Sequence, residues 1–115
     1  MVRIILVSLT CVLAGALPAA AQADGKAIFE GKGNCHACHG KDARGTVLAP
    51  NLTDGEWLNV DGSRASIINL IQKGVPKPIK HPAPMPPMGG ASLSKDEVEA
   101  LATYVLSLAK KADGS

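Results

Sequence analysis

Cys35-His36-Ala37-Cys38-His39 is the stretch that decides the fold of this 115-residue chain. It has the spacing C-x-x-C-H, in which two thiols can form thioether bonds to the vinyl groups of a haem and the histidine can bind its iron. Residues three and four positions apart share one face of a helical turn, so Cys35, Cys38 and His39 can all reach one flat porphyrin. The motif therefore predicts one covalent haem c, attached at Cys35 and Cys38 and ligated by His39.

A C-x-x-C pair can also be a redox dithiol or half of a zinc site. A thioredoxin-like dithiol calls for a surrounding βαβ pattern, and none is visible. A zinc site needs a second pair of ligands, but Cys11 and His81 are the only cysteine and histidine outside the motif. Haem attachment is therefore favoured, with a Cys35–Cys38 disulfide as the expected product when no haem is attached. His36 is interpreted as a solvent-facing spacer.

The first 23 residues have the pattern of a cleaved secretory signal peptide. Arg3 makes the start positive, residues 4–17 form an apolar run, and small residues at 19–23 offer cleavage sites. The run is short for a transmembrane helix, although an uncleaved anchor is an alternative. We therefore expect residues 1–23 to be removed and residues 24–115 to form one soluble periplasmic domain, in a compartment where haem c can be attached.

Composition limits both the core and the partners of this domain. Phe29, Trp57 and Tyr104 are its only aromatic residues, and a domain of this size buries a modest apolar core, which a haem would enlarge. The formal net charge of the chain, +2 at pH 7, falls to +1 when Arg3 is removed with residues 1–23, and this is too small to favour nucleic-acid binding. No nucleophile–base pair and no pair of acid–base carboxylates stands out, so we expect neither a small-molecule substrate nor catalysis by the chain itself.

Three segments have helical patterns, so we expect an all-α chain. They cover residues 24–34, 63–73 and 94–110, and each begins with a residue type that commonly caps helices. The second has isoleucines on one face and a glycine after its end. In the third, Ser94 and Glu97 form a capping box.

The segment between the motif and the second helix, residues 40–59, is rich in turn-forming residues. A metal-bound histidine commonly donates its other ring N–H to a backbone carbonyl, and Pro50 is the candidate acceptor for His39. Trp57 has an indole N–H that needs a partner when buried, and a haem propionate would serve. Simple packing of Trp57 is the alternative.

Residues 75–90 hold most of the eight prolines and two of the three methionines. Such a segment can be neither a helix nor a central strand, and a disordered linker is one interpretation. A thioether, however, is a neutral and weak iron ligand that raises the reduction potential, and prolines stiffen the loop that carries it. Met85 and Met88 are both candidates for the second axial ligand. His81 is a third candidate and would give a lower potential.

Five lysines lie near the motif or beside the proline-rich segment. One hypothesis is a positive rim around an exposed haem edge that steers acidic redox partners, and the alternative is an ordinary solvated surface. The five are Lys32, Lys41, Lys73, Lys77 and Lys80.

Taken in order, these features resemble class I cytochromes c over essentially all of residues 24–115. Residues 49–58, followed by a helix, are most similar to the haem domains of the dihaem subunit of high-affinity haem–copper oxidases. Residues 85–90 also resemble a segment of small photosynthetic cytochromes, although this chain has a long proline-rich lead over residues 75–84. The other residues that carry the resemblance are Gly25, Phe29, the motif with Gly40, and residues 101–105.

The resemblance implies a small cytochrome c fold, with three main helices and loops wrapped around one covalently bound haem. In such relatives the first and last helices cross through a small residue, which assigns that place to Gly25. The methionine before a proline binds the iron there, which favours Met85 and leaves Met88 in apolar packing.

The function that the resemblance implies is one-electron transfer. The first interpretation is a monomeric periplasmic carrier that docks at its exposed haem edge and shuttles electrons from respiratory or dehydrogenase donors to an oxidase or reductase. The first alternative is an electron-transfer subunit of a larger oxidoreductase. The second is a haem-based ligand binder, which needs an open iron site.

Overall fold

The folded chain consists of helices joined by long loops. The computed structural model describes residue 15 and residues 23–112, so nearly all of the predicted signal peptide, Cys11 included, lies outside the described residues, as do residues 113–115. The regular elements of the described part are α1 (Gly25–Glu30), α2 (His36–His39), α3 (Arg64–Lys73), a 3₁₀ segment (Pro87–Gly90) and α4 (Lys95–Ala112). The predicted all-α class is confirmed. None of these helices has the length and apolar character needed to cross a membrane.

Helix α1 begins where the sequence predicts and ends earlier. The Asp24 carboxylate accepts hydrogen bonds from two backbone N–H groups of the first turn, at 3.0 and 3.3 Å. The helix ends at Glu30 rather than at residue 34 because Gly31 leaves the helical conformation, with φ −119° and ψ −105°. The chain then turns back, and the Gly33 N–H donates to the Ile28 carbonyl at 2.8 Å. The glycines thus provide the bend that leads into α2.

Helix α1 packs against α4 at a point of very close approach. A Cβ atom at Gly25 would collide with the carbonyl oxygen of Ala100 and lie 2.7 Å from Cβ of Tyr104. The Phe29 side chain is 1% exposed, and its ring meets Tyr104 edge-on with the ring centroids 5.6 Å apart. The crossing of the first and last helices through Gly25 is therefore confirmed.

Helix α4 begins with the predicted capping box. The Ser94 N–H donates to Glu97 Oε2 at 2.8 Å, and the Glu97 N–H donates to Ser94 Oγ at 3.2 Å. Lys32 Nζ also donates to both carboxylate oxygens of Glu97, at 2.8 and 2.9 Å. The start of α4 is therefore connected to the loop that precedes the motif.

Helices α1, α3 and α4 supply most of the buried core. Helix α3 packs against α4 and against the 3₁₀ segment, and Ser63 caps it by accepting a hydrogen bond from the Ser66 N–H at 3.2 Å. The arrangement leaves an apolar space between α3, α4 and two long loops, which cover residues 40–63 and 74–86. The buried core residues are Ile28, Phe29, Ala43, Ile67, Ile71, Leu93, Val98, Leu101, Ala102 and Val105.

Candidate haem-attachment site

The apolar space is a cleft of about 900 Å³, part of which is open to solvent. The predicted site residues among its walls are Cys35, His39, Pro50, Trp57, His81, Met85 and Met88. The structure thus brings residues from the motif, from the loop at residues 40–59 and from the methionine loop (residues 85–90) to one cavity.

The motif forms the single turn of α2. The His39 N–H donates to the Cys35 carbonyl at 3.0 Å, so the turn has the i, i+4 spacing that the sequence predicts. Both Cys35 and Cys38 are free, half-buried thiols. Cys35 lines the cleft, and Cys38 is not among the lining residues. Burial raises the pKa of the Cys35 thiol, so it is protonated at neutral pH.

His39 is buried, with its ring 6.5 Å from that of Phe29 between centroids. Its Nδ1 lies 2.9 Å from the carbonyl oxygen of Pro50, the acceptor expected from the sequence. Because a carbonyl oxygen can only accept, Nδ1 carries the hydrogen and Nε2 keeps a lone pair. Burial lowers the pKa of His39, and the Pro50 hydrogen bond opposes this shift. A neutral imidazole with a free Nε2 is the form that binds a metal.

A folded-back loop places the Pro50 carbonyl beside His39. The Gly45 N–H donates to the His39 carbonyl at 2.7 Å. A Cβ atom at Gly45 would lie 2.6 Å from the Asn51 nitrogen and 2.9 Å from the Pro50 carbonyl carbon. The absence of a side chain at residue 45 therefore lets the two arms of the loop lie together, with Pro50 next to the ring.

Trp57 lines the cleft and is half-buried. Its indole ring lies directly on Gly62, where a Cβ atom would collide with the ring. Within residues 23–112 no hydrogen-bond partner of the indole N–H is found. The propionate contact therefore stays a prediction, and the structure gives Trp57 a packing contact.

The two methionines line the same cleft but differ in backbone conformation. Met85 forms an isolated antiparallel pair with Val75, in which the Val75 N–H donates to the Met85 carbonyl at 2.8 Å and the Met85 N–H donates to the Val75 carbonyl at 3.0 Å. Met88 has φ +53° and packs against the buried core. Met88 thus occupies the kind of apolar position that the resemblance implies for the methionine that does not bind iron.

The two other histidines lie close to this site. His81 lines the cleft, and its electrostatic interaction with His39 adds to the lowering of the His39 pKa by burial. The expectation that His36 is a solvent-facing spacer is wrong, because His36 is half-buried and its Nδ1 lies 3.3 Å from the Phe29 carbonyl oxygen. His36 therefore links α2 to the end of α1.

Sequence reasoning missed the part of the cleft wall that comes from the loops. These loops were recognised by their turn-forming residues, and the apolar residues between them received no role. The signal was present as large apolar residues within a segment rich in turn-forming residues. The residues concerned are Leu48, Leu52, Leu58 and Val60.

Comparison with known proteins identifies the family. A family model described as cytochrome c oxidase, cbb3-type, subunit III matches residues 20–105. The chain belongs to this family. The CcoP subunit of the cbb3-type cytochrome c oxidase of Rubrivivax gelatinosus is 41% identical over 88 residues, which cover 76% of this chain and 26% of the relative. The FixP subunit from Rhizobium meliloti (strain 1021) is 41% identical over 86 residues, covering 73% of this chain and 26% of the relative.

A more distant member of the cbb3-type subunit III family covers more of the chain. The CcoP subunit of Azospirillum sp. (strain B510) is 34% identical over 98 residues, which cover 80% of this chain and 32% of the relative. The chain thus spans about a third or less of the length of these relatives. No solved structure matches it.

Family membership confirms the resemblance to the dihaem oxidase subunit and the cytochrome c fold. The chain is an electron-transfer cytochrome c domain, which implies covalently bound haem c. The residues present fit that group: a half-buried thiol, a neutral imidazole with Nε2 available and two thioethers all line one apolar cleft.

Proposed function

We propose that residues 24–115 form a one-electron transfer domain with a single haem c, attached at Cys35 and Cys38 and ligated by His39 and Met85. The observation that carries this proposal is the cleft in which His39, with Nδ1 2.9 Å from the Pro50 carbonyl, lies among the walls together with Cys35 and Met85. The bound group supplies reversible one-electron chemistry at its iron.

The residues of the chain hold that group and keep water from it. Pro50 orients the imidazole of His39, which limits the rearrangement needed when the iron binds. Leucine and isoleucine side chains from the loops, α3 and α4 make the wall apolar, which favours a low-dielectric environment. Trp57 is the candidate partner of a propionate at the cleft.

We also propose that this domain works as part of a cbb3-type oxidase assembly and turns over no substrate of its own. Relatives that are 41% identical to it over aligned stretches of 88 and 86 residues are named as subunits of that oxidase. These names support the subunit interpretation, which ranked second on the sequence alone, over the monomeric shuttle. Export of the domain, with removal of residues 1–23, places it in the periplasm in this proposal.

Optical spectra of the exported protein test the ligand set. We expect the ferric protein to show the weak far-red band of a thioether bound to low-spin haem, because Met85 completes the coordination. Met85→Ala should lose this band, and the control Met88→Ala should keep it. A wild-type protein that is high-spin and binds carbon monoxide at once when reduced would contradict the proposal and favour a ligand-binding function.

A further inference from the structure

Gly74 lies directly against the backbone of the methionine loop. It follows the last residue of α3 with φ +72°. A Cβ atom at this position would collide with the carbonyl oxygen of Met85 and would lie 2.8 Å from both the Pro86 carbonyl carbon and the Pro87 nitrogen. These are backbone atoms, which cannot rotate away as the end of a side chain can. A glycine at residue 74 therefore lets the loop lie this close to the end of α3.

Two hydrogen bonds hold the loop at the same place. Val75 follows Gly74 directly and exchanges backbone hydrogen bonds of 2.8 and 3.0 Å with Met85. The Val75–Met85 pair closes residues 76–84 into a loop whose two ends meet. The backbone position of Met85 is consequently determined by the end of α3, although the sequence suggested that the prolines between them do this.

A second contact holds the other end of the methionine loop. A Cβ atom at Gly89 would lie 2.6 Å from the carbonyl oxygen of Gly33, which is buried shortly before the C-x-x-C-H motif. The loop from Met85 to Gly89 is thus held between the end of α3 and the segment that leads into α2. Its two methionines have little freedom to exchange places.

We infer that Gly74 is a positioning residue for the second axial ligand. By admitting the Val75–Met85 pair against the end of α3, it determines where the Met85 sulfur lies in the cleft. This inference rests on the proposed function, since it concerns the sulfur as an iron ligand. Met88 is held differently, by its left-handed backbone and its contact with the core.

The test compares Gly74→Ala with Gly90→Ala in the haem-loaded protein. Gly90 has φ +84°, so both changes place a side chain in the left-handed region, but at Gly90 the nearest atom to the new Cβ is Pro86 Cγ at 4.0 Å. The rate of carbon monoxide binding to the reduced protein measures how often the sulfur is detached. We expect Gly74→Ala to raise this rate about tenfold or more, because the detached state becomes more populated. Gly90→Ala should bind at close to the wild-type rate.

Several outcomes would overturn the inference. One is that Gly74→Ala binds carbon monoxide at the wild-type rate and keeps the far-red band. Another is that Gly90→Ala raises the binding rate as much as Gly74→Ala does, since backbone strain alone would then explain the rise. If Gly74→Ala does not accumulate, Val75→Pro tests the same contact by removing the N–H that donates to Met85, and the same rise in rate is expected. A wild-type rate in Val75→Pro counts against the inference as well.

The same spectra separate this inference from the proposed function. If the band is present in the wild type and lost in Met85→Ala while Gly74→Ala is unchanged, only the role of Gly74 is wrong. If the wild type lacks the band, or if Met88→Ala loses it in place of Met85→Ala, the ligand assignment is wrong and the inference falls with it.

Discussion

At the scale of single residues, the chemistry of His39 is set by its protein surroundings. The Pro50 carbonyl takes the hydrogen of Nδ1, and burial favours the uncharged ring. The imidazole therefore has the tautomer and charge state that iron coordination requires. The free-energy cost of reorganising the ring on binding is consequently small. The position of Trp57 also depends on a neighbouring residue, because the absence of a side chain at Gly62 leaves room for the indole ring.

We predict that Gly62→Ala displaces Trp57 from its position at the cleft. The added methyl would collide with the indole ring, and overpacking of this kind costs about 1–3 kcal/mol of stability. Trp57 is the only tryptophan, and emission from a tryptophan beside a bound haem is quenched, so fluorescence of the haem-loaded protein should rise. Gly90→Ala is the matched control. Unchanged emission in Gly62→Ala would show that the ring stays in place.

Much of the site could be predicted at this scale because its chemistry is local in sequence. The two thiols and the histidine lie within five residues, and Pro50 follows His39 closely along the chain. The contact of Gly74 with the Met85 carbonyl was not predictable from any pattern, since it joins two segments separated by a proline-rich loop. The choice between Met85 and Met88 depended on a resemblance for the same reason.

At the scale of elements, the start of α4 combines a helix cap with an ion pair. The Glu97 carboxylate accepts from the Ser94 N–H in the capping box and from Lys32, which belongs to the loop before α2. The hydrogen bond from Lys32 is the largest influence that holds the pKa of Glu97 below its ordinary value of 4.5, and the bond from the Ser94 N–H is the next.

We predict that Glu97 makes the stability of the domain depend on pH in the acid range. Because the pKa is lowered in the folded state, its contribution is fully present above pH 4.5 and is lost as the pH falls through the lowered value. Denaturant unfolding across this range should show a smaller acid loss in Glu97→Gln than in wild type.

Glu99→Gln is the matched control for this measurement. It removes an exposed carboxylate of the same helix whose distance to Lys95 is 3.9 Å, and surface pairs of this kind contribute little. An acid loss in Glu97→Gln as large as that of wild type would mean that other groups control the pH dependence.

Helix starts were predictable because caps are short sequence signals. The starts of α1, α3 and α4 all follow the predicted capping residues. The end of α1 was not predictable, because the glycine at residue 31 permits several backbone conformations. The conformation adopted is the one in which the Gly33 N–H donates a hydrogen bond to the Ile28 carbonyl. Which helices pack against each other could be learned only from the three-dimensional structure. The exception is the crossing of α1 and α4 at Gly25, which the family resemblance implied.

At the scale of the whole molecule, two of the five lysines of the hypothetical rim lie beside carboxylates. Lys32 forms an ion pair with Glu97 at 2.8 Å, and Lys80 lies 3.4 Å from Glu56. These pairs reduce the local positive charge that would steer an acidic partner. The surface also presents exposed large apolar residues, Val47 at 83% and Ile79 at 70%. We therefore expect apolar contact, beside charge, to contribute to the affinity for a partner.

We predict that the tagged full chain co-purifies with the catalytic subunit of a cbb3-type oxidase from its own cells. The relatives are subunits of that oxidase, and the exposed apolar residues offer contact area that salt does not screen. The association should therefore survive washing at high ionic strength. An unrelated exported protein with the same tag is the control. A chain that elutes alone yet reduces the oxidase in solution would restore the interpretation as a free carrier.

The paired ends of the loop at residues 76–84 have a consequence for how this chain can change in length. Because Val75 and Met85 are bonded to each other, residues inserted or deleted between them need not move either one. Lengthening a closed loop is cheap, at about 0.6 kcal/mol for each doubling. A label, a crosslinker or a longer peptide can therefore be introduced in this segment while the methionine keeps its position, provided that Pro78, His81 and Ala83, which line the cleft, stay in place.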